Sequence, residues 1–300
     1  MTLPKKWLGD VSLHLAALAS ALLVLLILGV ILADVILHGA PRLTLGFLLE
    51  APSDGMTAGG IFPALFGTTA MVILMTIAGV PVGVATAIYL SEYARPGSRF
   101  AGLVRLAVRN LAGVPSIIFG LFGLGFFIQF VGRGIDLAFF GEEKVFGQPA
   151  LIWAALTMAV LTLPVVIVAT EEALQAIPQS HRQGAFALGA TRFQVVATVV
   201  LPQAMPGVLT GTILAVSRGA GEVAPILFTG VAYFLPELPH QLSSQFMHLG
   251  YHVFVLATQS PDVDATAPIL YATVLVLLGL VFTLNFSAVW VRYRMRRRAA

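Results

Sequence analysis

In the apolar run from Pro206 to Leu235 the only charged residues are Arg218 and Glu222, set within Ser217-Arg218-Gly219-Ala220-Gly221-Glu222. Arginine stays ionised and presents a planar fork of donors, which suits the capture of an oxyanion. The glutamate follows at i, i+4, within reach of the arginine along one helix face. If the run is a single helix, Arg218 lies about 18 Å from its start, near the middle of a bilayer core roughly 30 Å thick. A charge at that depth costs at least about 3 kcal/mol and faces a partner or a water-filled path. The pair therefore points to something charged crossing a membrane; the plainer alternative is an ion pair that locks two helices. Gly219 and Gly221 read as points of close helix approach.

Other chemistry is thin. With no cysteine there is no disulfide, thiolate metal site or cysteine nucleophile. No Gly-Lys dipeptide occurs, so the chain holds no phosphate-cradling P-loop, and neither H-E-x-x-H nor G-x-S-x-G is present. No catalytic or metal-ligating residue is assigned. His248 and His252 have the i, i+4 spacing of a metal pair but no third ligand, and read as solvated or interfacial. Ser116, following Pro115, is either a path-lining hydroxyl or one bonded to its own helix. Pro81, Pro115 and Pro164 read as kinks.

The elements that must position these residues follow from composition. Apolar residues make up 58% of the 300 residues and charged residues 10%, against about 25% charged in soluble domains. This is an all-α polytopic membrane protein. Six segments have spanning length, near Val11–Leu37, Ile61–Tyr89, Leu111–Val131, Leu151–Thr170, Pro206–Leu235 and Pro268–Val291. The first follows Lys5 and Lys6 and is too long for a signal-peptide core, so it reads as an uncleaved helix.

Lys5, Lys6, Arg95, Arg99, Arg105, Arg109, Arg182, Arg192, Arg292, Arg294, Arg296, Arg297 and Arg298 flank one side; only Arg42, Arg133 and Lys144 flank the other. That asymmetry places both termini in the cytoplasm. Nine of the fourteen acidic residues (Asp34, Glu50, Asp54, Asp136, Glu142, Glu143, Glu237, Asp262, Asp264) fall outside, in agreement. Arg292–Arg298 is a positive-inside stop signal that can also hold anionic lipid. Glu171 and Glu172, ending the fourth span, read as solvated. The outer segment Pro236–Ala267 reads as a long polar loop. We divide the chain into residues 1–60 (inner tail, first span, outer loop) and 61–300 (transmembrane domain), with an inner loop at 171–205.

In that inner loop, His181 to Thr191 predicts a short amphipathic helix, a turn at Gly189 and a helix capped by Thr191 that runs to Leu201-Pro202. Pro178, Pro202 and Pro206 are expected helix boundaries. The loop resembles the E-A-A-x3-G-x9-I-x-L-P coupling motif of ABC importer permeases. Gln183-Gly184-Ala185 stand at E-A-A, Gly189 is the glycine, and Val199-Val200-Leu201-Pro202 stand at I-x-L-P. Gln183 and Gly184 depart from the motif, which weakens a specific ion pair with an ATPase but not the helix-turn shape. Four further stretches resemble the A-type permeases of bacterial high-affinity phosphate importers. They are Gly60–Thr68, Ile88–Ala94, Gly113-Val114-Pro115-Ser116-Ile117 with its continuation, and Ser217–Glu222 with Ala224–Thr229.

The resemblance implies a type I ABC importer permease fold. It implies phosphate transport in a bacterial inner membrane by a subunit that is not itself an enzyme. Arg218, Glu222, Ser217 and Ser116 would lie on the substrate path; Gln183, Gly184, Ala185, Gly189, Leu201 and Pro202 would couple to the ATPase. Implied partners are a second, homologous permease (a heterodimer), two copies of a cytoplasmic ATPase that carries ATP and Mg, an outer phosphate-binding protein and membrane lipid, with no nucleic acid. Permeases for sulfate or molybdate are the nearest alternative; an ion-coupled carrier using Glu222 is the next.

Overall fold

The computed structural model describes residues 5–141 and 143–299, with side chains for 13–141 and 143–295. The side chains of Lys5, Lys6, Arg296, Arg297 and Arg298, and Glu142, all counted in the charge asymmetry, lie outside the described residues.

Among the described residues, nine helices of seven residues or more carry the fold, besides a short one at Leu45–Leu49. We name them α1 (Lys5–Gly39), α2 (Phe62–Tyr93), α3 (Arg99–Leu111), α4 (Ser116–Phe139), α5 (Leu151–Gln175), α6 (Gln179–Ala187), α7 (Arg192–Ala220), α8 (Leu249–Thr258) and α9 (Val263–Ala299). Six of these, α1, α2, α4, α5, α7 and α9, are long and apolar enough to cross a membrane. A two-stranded hairpin, Pro52–Ser53 against Ala58–Gly59, lies between α1 and α2.

The centre is α2, α5 and α7, brought together by small residues. A side chain at Gly79 would press on Ala159, and one at Gly83 on Val166, so the G-x-x-x-G spacing of α2 lets α5 approach its backbone. Gly207 and Gly211 repeat the device on α7, facing Ala173 and Ala169 of α5. Gly219 is packed against Met75 of α2, as expected, but Gly221 makes no close approach: it lies beyond the end of α7. Helix α9 packs on α7, and α1 packs on α9 with its leucine-rich surface exposed, the face a lipid bilayer would cover.

Two boundaries differ from expectation. The third span begins at Ser116, not Leu111, because Gly113 and Pro115 separate it from the amphipathic α3. The fifth runs from Arg192 to Ala220 instead of Pro206 to Leu235. Pro202 and Pro206 lie inside this helix, preceded by π-helical turns at Val195–Val200; such wide turns help a helix tolerate missing donors. Only Pro178 acts as the expected boundary, at the N-cap of α6.

From Gly221 the chain leaves the helix and folds back into the protein. Its carbonyls at Thr229, Ser244 and Leu242 accept the free N–H groups of Ala150, Leu151 and Ile152 at the start of α5. Phe246, Met247, His248 and Leu249 are fully buried against α2 and α9. The expected polar outer loop at Pro236–Ala267 is thus, over its second half, a packed plug ending in α8. Irregular backbone packed in this way is stable because protein satisfies its polar groups.

Candidate functional site: a cavity around Arg218 and a cytoplasmic knob

Arg218 occupies the last turn of α7, where a cation is favoured by the helix's C-terminal carbonyls. Its side chain is 70% exposed, and its Nε lies 3.9 Å from Oε1 of Glu222. A short charge-assisted bond spans about 2.8 Å, so this pair is loose. The reason is local: the helix ends at Ala220, and Glu222 sits in the following turn, held by its N–H to Gly219 O at 3.2 Å. Among the described residues the Arg218 guanidinium makes no other ion pair or hydrogen bond, so most of its donors face open space.

That space is a cavity of about 240 Å³ lined by Pro115, Ser116, Phe119, Thr162, Arg218 and Glu222. Three of the four sequence-chosen residues, Ser116, Arg218 and Glu222, therefore meet. Ser217 does not. It is buried with its hydroxyl 3.4 Å from Val281 O on α9, because one residue along a helix turns a side chain through about 100°. Thr162, absent from the sequence reading, contributes a wall of α5; its hydroxyl donates back to its own helix at Met158 and Ala159.

On the cytoplasmic side, α6 carries Gln183, Gly184 and Ala185 in mid-helix. Gly189 takes φ +82 and reverses the chain, with Ala190 N–H bonded to Ala185 O. Thr191 then caps α7 in a capping box with Gln194. At the tip, Leu188 is 91% exposed. Leu201 and Pro202 do not join this knob or end its second helix; they lie about 14 Å along α7 from Arg192, inside the continuous span.

Four charged residues have partners that are not evident from the sequence. Arg182, counted as a flanking charge, is buried on α6; its Nη2 donates to Oε1 of Glu92 at 2.7 Å and its Nε to Oε2 at 3.3 Å. The same guanidinium donates to the carbonyls of Leu174 and Ile177, where α5 ends. Arg105 of α3 binds Glu171 at 2.9 Å and the Leu90 carbonyl at 2.6 Å, so Glu171 is not the solvated charge expected of it. The available signal was acid on the basic side: Glu92 and Glu171 are among the few acidic residues there. Glu172 lines shallow cavities beside Arg109 and Arg292, with no ion pair among the described residues.

His248 and His252 are buried, not solvated or interfacial. His248 Nδ1 accepts from Gly250 N–H at 3.1 Å. Burial lowers His248 to about 3 and His252 to about 4, so both are neutral. No group of three metal-ligating side chains occurs among the described residues.

Comparison with known proteins places this geometry in context. A "Probable ABC transporter permease protein YqgI" of Bacillus subtilis is 30% identical over 91% of this chain and 91% of its own length. "Phosphate transport system permease protein PstA 1" of Mycobacterium tuberculosis is 31% identical over 80% of this chain and 73% of its own. The PstA of Haemophilus influenzae is 34% identical over 67% and 66%. Two solved structures share the fold. A bacterial alginate ABC transporter aligns with a TM-score of 0.65 over 95% of this chain and 94% of that one, at 16% identity. The MetNI methionine ABC transporter aligns with a TM-score of 0.57 over 77% of this chain and 94% of that one, at 19% identity. The family described as "Binding-protein-dependent transport system inner membrane component" matches residues 79–297, and it is to this family of multi-pass transport permeases that the chain belongs.

Proposed function

We propose that the chain is one permease subunit of an ATP-driven importer that carries inorganic phosphate across the bacterial cytoplasmic membrane. The observation that carries the reading is the Arg218 guanidinium, open to a cavity and held only loosely by Glu222. Two phosphate oxygens can accept the paired N–H donors of a planar guanidinium, and an arginine with free donors binds them in preference to a saturated one. The PstA relatives, named as phosphate permeases, support the substrate. ATP and Mg belong to two ATPase copies docked at the knob around Gly189. Its exposed Leu188 and the motif positions Gln183, Gly184 and Ala185 supply the contact. A second permease faces this one, and an outer binding protein delivers the anion. Glu222 holds Arg218 between passages and Ser116 adds a hydroxyl to the path.

Radiolabelled phosphate uptake in three variants tests this reading. Arg218→Gln abolishes uptake at normal membrane abundance, Arg218→Lys restores little of it, and Glu222→Gln is milder. If the pair is only a strut, the double variant Arg218→Gln with Glu222→Gln recovers uptake, because neither charge is then left alone; a dead double variant supports the path. Excess sulfate or molybdate leaves phosphate uptake unchanged, whereas strong competition by either reassigns the substrate.

A further inference from the structure

Helix α6 is held to the membrane body in an unusual way. Its one buried side chain among the described residues is Arg182, a charge, whereas Gln183, Gly184 and Phe186 face outward. Its other ties are His181 Nδ1 to Gln203 Oε1 on α7 at 2.7 Å, and Ala185 packed in an apolar cluster with Leu174 and Val195. Four of the five N–H donors of Arg182 are engaged. Two go to the Glu92 carboxylate at the end of α2, and two to the Leu174 and Ile177 carbonyls where α5 stops. Leu174 O also accepts the Ile177 N–H at 3.3 Å, so the guanidinium reinforces the closing turn of α5. Arg105 adds a second clamp on the same two helices, through Glu171 on α5 and the Leu90 carbonyl on α2.

We infer that the Glu92–Arg182 pair is the joint by which displacement of α6 is passed to α2 and α5, with Arg182 as its positioning residue. The inference rests on the transport reading only for the source of the displacement. A planar fork that binds two helix ends at once resists both sliding and rotation, which a single apolar contact does not. The motion has a destination: α5 supplies Thr162 to the wall of the Arg218 cavity, and α2 packs through Met75 on Gly219, next to Arg218. The pair also takes a load that the motif position beside it does not, since Gln183 is uncharged and exposed.

The test uses the complete importer in liposomes, with phosphate uptake and ATP hydrolysis measured in the same preparation. Glu92→Gln keeps size and an acceptor but removes the charge. Uptake per ATP hydrolysed is expected to fall roughly tenfold, within the range typical of coupling between sites, while hydrolysis persists. Glu92→Asp regains part of the ratio. A purely structural role lowers uptake and hydrolysis together, in proportion to assembled complex, and that result overturns the inference. A second readout is independent of substrate. The chain has no cysteine, so with the partner subunits' cysteines replaced, spin labels at Ser180→Cys on α6 and Val168→Cys on α5 report the α6-to-α5 distance. With Glu92 intact that distance stays single and narrow with and without ATP; in Glu92→Gln it broadens. An unchanged distance in the variant refutes the joint even if the transported anion proves not to be phosphate.

Discussion

Arg182 with Glu92 and Arg218 with Glu222 are the same chemical pair built in opposite ways. In the first, both side chains are 9% exposed, the closest contact is 2.7 Å and backbone carbonyls fill the remaining donors. In the second, the arginine is 70% exposed, the contact is 3.9 Å and the donors are free. Burial and saturation make a pair that is costly to disturb, since removing one partner strands a charge. Exposure and looseness make a pair that yields its arginine to a ligand at little cost. One end of the molecule is thus built to hold and the other to exchange.

Thermal unfolding in detergent separates the two most strongly. Glu92→Ala should lower stability by about 3–5 kcal/mol, because Arg182 is left buried without its counter-charge. Glu222→Ala should change it by less than about 1 kcal/mol. Equal losses would erase the distinction. The outer plug allows a second comparison, in which buried groups avoid charge altogether. His248 and His252 titrate near 6.5 when unfolded but at about 3 and about 4 when folded. The unfolded chain therefore binds protons first as pH falls. Stability is complete above about 6.5, and each pH unit below that costs up to about 1.4 kcal/mol per histidine until the folded values are reached. Replacing both histidines with Gln should flatten the acid limb of stability against pH. A limb of unchanged slope contradicts their burial.

The knob separates stability from docking. Gly189→Val meets no neighbouring atom, so its cost is the backbone alone, about 1–2 kcal/mol for a side chain at φ +82. The protein should remain folded while recovery of a co-purified ATPase falls. Full recovery would detach the turn from docking.

Much of this was legible in the sequence. The spacing of apolar runs located α1, α2, α5 and α9, though α1 and α9 extend beyond the expected ends by one to two turns, and Gly189 and Thr191 marked the turn and the cap of the knob. These are local properties. Hydropathy measures transfer of a segment from water, and a positive φ or a capping hydroxyl acts within four residues. Arg218, Glu222 and Ser116, which line one cavity, were singled out because a charge or hydroxyl in an apolar run stands out. Ser217 was misplaced because adjacency in sequence says nothing of which way a helix turns a side chain.

The tertiary structure alone decided the rest. Hydropathy does not distinguish an apolar segment facing lipid from one buried in protein, so the chain from Gly221 to Leu235 resembled the end of a span. It is irregular because Phe246 and the start of α5 pair with its backbone, while α2 and α5 cover its side chains. The looseness of the Arg218 pair follows from that helix end. The partner of Arg182 lies ninety residues away in sequence, and only packing brought them together. Composition and spacing determined that this chain carries six helices able to span a membrane, and singled out Arg218 and Glu222. Long-range packing determined which arginine is locked and which is left free.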